Sequence, residues 1–106
     1  MIVEIRTYRL VPGTSEEFVR VMQDEAGPLL DAAGIRVVTS GLSQVPEDCH
    51  EEAYLVRAFD SIEHRDAQEE AFYSSRAWHD GPREAILSRI ESYHTVVLEG
   101  AELGLS

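Results

Sequence analysis

The spacing of apolar residues changes period several times along this chain, and the order of those changes leaves few folds open. Residues 2–11 (IVEIRTYRLV) alternate and are rich in β-branched and aromatic types, the pattern of a strand, which Pro12-Gly13 ends. Phe18, Val21, Met22, Leu29 and Ala33 then recur at helical spacing and predict an amphipathic helix over 15–33. Thr14 with Glu17 three residues on has the form of a capping box. Gly27-Pro28 predicts a kink or break, because proline lacks the donor its turn needs, and Gly34 is placed as a C-terminal stop.

A second strand follows over 35–45, with Gly41 as a candidate bulge, then a polar loop over 46–51 and a third strand over 52–59. Asp60 or Ser61 caps a helix that runs to about Tyr73. A short helical turn over 74–80 carries Trp78, and Pro82 opens a further helix that ends near Ile90. Residues 92–99 form the last strand, and 100–106 read as a loose tail. The resulting order, β-α-β-β-α-β with the second helical region in pieces, is the α+β ferredoxin-like unit, an antiparallel sheet with helices on one face.

At 106 residues there is room for one domain, and 43% hydrophobic residues suffice for a core. A domain this small hides only about two-thirds of its unfolded surface, so pairing with a second copy stabilises it. Helices on one face leave the other face to be explained. Val3, Ile5 and Thr7 share one side of the first strand, and Glu4, Arg6 and Tyr8 the other. In the third strand Leu55, Arg57 and Phe59 oppose Tyr54, Val56 and Ala58. In the last, Ser92, His94, Val96 and Leu98 oppose Tyr93, Thr95 and Val97. Neither side is a solvated polar surface. The reading is that the mixed face, with its Arg and Glu, packs on its counterpart across a two-fold axis, closing a homodimeric barrel that holds a small-molecule cavity between the sheets.

Charge and motif content exclude several functions. The formal charge of −11 provides no basic stripe for a phosphate backbone and disfavours anionic membranes. All basic residues are Arg, and the chain has neither Lys nor Asn, so no Schiff-base lysine and no Asn carboxamide can serve in a site. Cys49 is the one cysteine, and no disulfide or CxxC site is expected within a chain. The N-terminus has no signal-peptide pattern, and a cytoplasmic location is the expectation. Nucleotide-binding glycine motifs and the GxSxG elbow are absent from the sequence.

Among the remaining side chains, Glu4, Arg6 and Tyr8 can wall a polar pocket, with Arg holding a carboxylate and Tyr relaying a proton. The competing reading is a structural Glu–Arg pair. Arg57 beside Phe59, and His94 on the last strand, are candidates for the same cavity, with His94 the best general base near neutral pH. Trp78 is either a lid over the pocket or a plug in the broken helix, and His64 and His79 read as solvent-facing. The loop Glu47, Asp48, Cys49, His50, Glu51 carries metal-ligand chemistry, but neighbours in sequence rarely reach one ion together, so it reads as a solvated loop and no metal or cofactor is expected. His94 and Tyr8 are thus the candidate catalytic residues, and Glu4, Arg6, Arg57, Phe59 and Trp78 the candidate substrate-binding ones.

The opening VEIRTYRLVPGTSEEF, the helix end GPLLDAAGI, the segment VRAFDSIEHR, and SSRAW before a late VVLE strand closely resemble the NIPSNAP family over residues 1–99. The resemblance implies a dimeric α-β barrel domain over 1–99 with a tail over 100–106. It also implies kinship with a wider group that includes antibiotic-biosynthesis-type monooxygenases, haem-degrading enzymes and small isomerases. It carries no general set of catalytic residues. Oxygenases of that group typically use an Asn-Trp-Arg constellation, and with no Asn its standard form is not expected here. The resemblance thus leaves three roles open: a binder of a small acidic or aromatic molecule, an oxygenase or isomerase, and a non-catalytic partner-binding dimer. Neither nucleic acid nor membrane is an expected partner.

Overall fold

Four strands form one antiparallel sheet: β1 (Ile2–Leu10), β2 (Arg36–Leu42), β3 (Glu52–Phe59) and β4 (Ile90–Glu99), in the order β2-β3-β1-β4. The structure, a computed structural model, describes residues 1–104, so the end of the expected tail lies outside the described residues. Its inner part is a short 3₁₀ turn, Gly100–Leu103. The helices α1 (Ser15–Val21), α2 (Gly27–Ala32), α3 (Ile62–Tyr73), α4 (Arg76–Asp80) and α5 (Arg83–Leu87) pack on one side of the sheet. The smallest dimension is 19 Å, which is one sheet plus one layer of helices. This is the ferredoxin-like arrangement. Among the described residues no helix is long and apolar enough to cross a membrane.

The core fills the space between the two layers. Phe18, Val21 and Leu30 of the first helical stretch meet Tyr8, Leu10 and Leu55 of the sheet, with Phe72, Trp78 and Ile86 closing the other side. The first helix does not break before Pro28. It widens into a π turn over Met22–Ala26, in which the Gly27 N–H donates to the Met22 carbonyl five residues back. Pro28 then occupies the first turn of α2, where its missing N–H costs little.

Local chemistry departs from the sequence reading at three turns. Thr14 makes no side-chain cap. Its hydroxyl donates instead to the Val11 carbonyl at 2.6 Å, and Glu17 pairs with Arg20. Glu51, from across the molecule, accepts from the Gly13 N–H at 2.8 Å and from the Ser15 hydroxyl, so the start of α1 is held by a residue 36 or more positions away. The bulge in β2 falls between Val37 and Thr39 rather than at Gly41, which is free of a side chain because the Tyr54 ring lies over it. Gly34, at φ +80°, ends α2 as expected, and Ser61 caps α3 by accepting from the His64 N–H at 3.1 Å. The 46–51 loop contains a short 3₁₀ turn, and among the described residues no group of three or more His, Cys, Asp or Glu is placed to hold a metal ion.

The largest correction concerns the faces of the sheet. Glu4 lies opposite Arg57, and Arg6 opposite Thr95, on the side that the helices cover. The face left open carries Ile5, Thr7, Tyr54, Val56, His94, Val96 and Leu98, which is apolar with few charges. The charged set lies inside because α3 brings polar partners of its own to meet it, so the mixed face is not the one left for a second copy.

Gly81 joins α4 to α5, and a Cβ built there overlaps the Ala77 carbonyl oxygen. Backbone cannot yield as a flexible side chain can. Gly81→Ala should therefore lower stability by about 1–3 kcal/mol in urea denaturation and loosen Trp78, seen as a red shift of its emission.

Candidate functional site

The polar cluster inside the molecule starts from strand alternation and helix spacing. β1 sends Glu4 and Arg6 inward, β3 sends Arg57, and α3 presents Arg65, Glu69 and Tyr73 four residues apart on one face. Glu4 and Arg57 are fully buried. The Arg57 Nε donates to Glu4 at 2.9 Å, a second guanidinium nitrogen closes the fork on the same oxygen, and Nη1 donates to the Tyr73 hydroxyl at 2.8 Å. Arg65 Nε donates to the other Glu4 oxygen at 2.7 Å. Glu69 lies 3.3 Å from both Arg57 and Arg65. Arg6 is held more loosely: its Nε donates to the Thr95 hydroxyl at 3.0 Å, while its carboxylate contacts are 3.5 Å to Glu69 and 3.7 Å to Glu4.

Arg65 also pairs with Asp66 at 3.0 Å, so three guanidinium groups meet three carboxyl groups, and the cluster is positive only to the extent that Glu69 is protonated. Burial works to raise the Glu4 carboxyl, but its hydrogen bond with Glu69 and the Arg57 charge prevail and hold it down at about 2. Burial and that same hydrogen bond raise Glu69 to about 7, against the pull of Arg57. Glu4 is therefore ionised at neutral pH, while Glu69 gains its proton as pH falls through about 7.

Next to this cluster, between sheet and helices, is a cavity of about 340 Å³. This cavity lies between the sheet and the helices of one chain and opens to solvent beside the exposed Tyr93. Its walls are aromatic, with Phe72, Tyr73 and Trp78 packed edge-on or tilted at 5.1–5.6 Å, and Tyr8 and Tyr93 on the sheet side. Arg6, Arg83 and His79 also line it, and no Asp or Glu does. The Arg6 guanidinium lies 5.1 Å from the centre of the Tyr93 ring, a cation–π contact that leaves the group at the cavity wall. Burial, followed by the nearby Tyr73, raises the Tyr8 phenol well above its ordinary range, so it stays neutral and serves as a donor rather than a base.

The seven candidate residues separate accordingly. Arg6, Tyr8 and Trp78 line the cavity. Glu4 and Arg57 stand behind it and reach it through Arg6 and Tyr73. Phe59 is a core residue opposite Ile2, near the far end of β1. His94 pairs with Thr7 and is exposed on the open face, one residue out of phase with Tyr93 and Thr95, so it does not share the cavity with Arg6 and Tyr8. Sequence reasoning missed Glu69, Tyr73, Arg83 and Tyr93. For the first two a signal was present: Arg65, Glu69 and Tyr73 repeat every fourth residue, a polar stripe where a core-facing helix is normally apolar.

The opposite shifts of the two carboxyls give a stability profile whose sign follows from linkage. Glu69 binds its proton more tightly in the folded chain, so its contribution is complete below pH 4.5 and is lost as pH rises through about 7. Glu4 is the reverse, and its contribution is lost as pH falls from 4.5 towards about 2. Urea denaturation should show stability declining by on the order of 1–3 kcal/mol between pH 5 and 8, and Glu69→Gln should flatten that decline.

The NIPSNAP family model matches residues 3–99. No functionally curated protein matches the chain. Among solved structures, an uncharacterized NIPSNAP domain protein from Burkholderia xenovorans is 26% identical, with a TM-score of 0.80 over 93% of each chain. A NIPSNAP family protein of unknown function from Agrobacterium tumefaciens is 24% identical, with a TM-score of 0.78 over 92% of this chain and 86% of that one. A putative antibiotic biosynthesis monooxygenase from Chloroflexus aurantiacus shares the fold at 17% identity and a TM-score of 0.57, with 92% of each chain covered. With a matching family model that spans nearly all of its length, the chain belongs to the NIPSNAP family.

Proposed function

We propose that the protein binds a small organic molecule, acidic or aromatic in character, in the cavity between its sheet and its helices. One observation carries this reading: in a chain of formal charge −11, the cavity is lined by aromatic rings and two arginines and by no carboxylate. Aromatic walls take a planar apolar body, and a few convergent polar groups orient it, the composition of a ligand site rather than of a filled core. About 340 Å³ suits a one- or two-ring compound. Tyr8 and Arg6 offer donors to its polar end, and Trp78 covers its ring. Proton-transfer chemistry has weaker support, since the Tyr8 phenol is a poor base and His94 is on the other side of the sheet.

The protein acts, in this reading, as a homodimer. Val96 on the open face is 48% exposed in the single chain, and Tyr54, Val56 and Leu98 share that face, an apolar surface that a second copy would cover. Sedimentation velocity at micromolar concentration should show a dimer, and Val96→Arg should shift it to monomer without unfolding it. A monomeric parent protein would overturn this part.

Trp78 is the chain's one tryptophan and lines the cavity, so its emission reports occupancy. Titration with a panel of benzoates and phenylacetates should quench or shift it saturably. Arg6→Gln should weaken the best of them by about tenfold or more, the equivalent of a charge-assisted hydrogen bond. If no member of the panel perturbs Trp78, the binding reading fails.

A further inference from the structure

Arg6 stands between two claimants. On one side is the cavity; on the other is Glu69, 3.5 Å away, with Glu4 at 3.7 Å. These are long contacts compared with 2.9 Å from Arg57 to Glu4 and 2.7 Å from Arg65 to Glu4, so Arg6 is the guanidinium of the cluster least committed to its carboxylates. An anion in the cavity would take the same positive charge on which Glu69 depends.

Resting on the binding reading above, we propose that the ligand is an anion seated against Arg6, and that its binding raises the proton occupancy of the Glu4–Glu69 pair by a fraction of one proton. Glu69 is the site of uptake because of what surrounds it. Glu4 and Arg6 face it from β1 and Arg57 from β3, while Arg65, itself paired with Asp66 at 3.0 Å, and Tyr73 flank it on its own helix. Glu4 is bonded at both oxygens by Arg57 and Arg65 and remains ionised. Glu69 has only contacts of 3.3–3.5 Å and half-shares each partner, so the arrival of a second negative charge at Arg6 costs it most. Protonation removes that repulsion and frees Arg6 for the ligand. Arg83 on the same wall adds positive charge without altering the sign, and the exposed imidazole of His79 and the phenols of Tyr8, Tyr73 and Tyr93 also lie there. The proposal makes the site select for anions over neutral molecules of the same shape, and makes it bind more tightly as pH falls.

A permanent anion and its neutral analogue separate this from simple ligand titration. 4-Toluenesulfonate stays charged from pH 6 to 8.5, and 4-toluenesulfonamide stays neutral over most of that range. Followed through Trp78 emission, the sulfonate should bind roughly three- to tenfold more tightly at pH 6 than at pH 8.5, as fractional uptake of one proton requires. The sulfonamide should bind more weakly with no such slope. The slope should persist in His79→Gln and vanish in Glu69→Gln, with the latter binding the sulfonate about as tightly at pH 8.5 as the parent does at pH 6. A flat profile for the sulfonate in the parent protein overturns the proposal while leaving the cavity as a binding site. A slope lost in His79→Gln instead assigns the proton to the wall histidine and also overturns it. If neither probe reaches Trp78, the binding reading itself falls and takes this inference with it.

Discussion

The ion pair between Glu4 and Arg57 is the constraint around which the rest of the molecule is arranged. Both side chains are fully buried, and a charge removed from water needs a partner with good geometry and its remaining donors and acceptors satisfied. Glu4 achieves this only because β1 and β3 set it directly opposite Arg57 and because α3 lowers Arg65 onto its second oxygen. Among the described residues no buried side-chain nitrogen or oxygen is left without a partner. Once this pair is inside, strand parity decides which side each neighbour takes: Arg6 and Tyr8 of β1 and Leu55 of β3 share the side of Glu4 and Arg57, while Ile5, Thr7, Tyr54 and Val56 lie on the other.

Element order was legible from the residues because period is a local property. β3 and the end of α3 fall where alternation and helical spacing put them, and Gly34 ends its helix through a backbone conformation that glycine adopts at little cost. What failed was non-local. Thr14 and Glu17 have the composition of a capping box, yet Glu51 on a distant loop takes the N-terminal donors instead. The phase of β4 against β1 cannot be read from either strand alone, and one residue of phase separates His94 on the open face from Tyr93 on the cavity wall. The same limit hid the direction of the charged face. Hydropathy ranks Glu4 and Arg57 as surface residues, and only the matching polar stripe at 65, 69 and 73 reveals that they are interior.

Family membership and fold leave the chemistry open, since the similar structures include uncharacterized NIPSNAP proteins and a putative monooxygenase on one scaffold. The cavity differs from the rest of the chain in its charge. In a chain of formal charge −11, a wall with no carboxylate is a contrast that packing alone does not require, and Arg6, the most loosely held guanidinium of the cluster, is on that wall. The two layers therefore do different work. The sheet brings Arg6 to the cavity wall, and the fragmented helices bring Tyr73 and Trp78.

The π turn at Met22–Ala26 lies in the cavity wall, with Met22 and Ala26 both facing the space. A turn of this kind accommodates one residue more than the regular pitch. Loss of a single codon here would return the helix to uniform winding and remove the local widening at Met22–Ala26, while Leu30 and everything beyond it stay in phase and the sheet and its ion pair remain untouched. The scaffold thus contains a point at which insertion or deletion, rather than substitution, can reshape what it accommodates, and divergence among its descendants has an inexpensive route there.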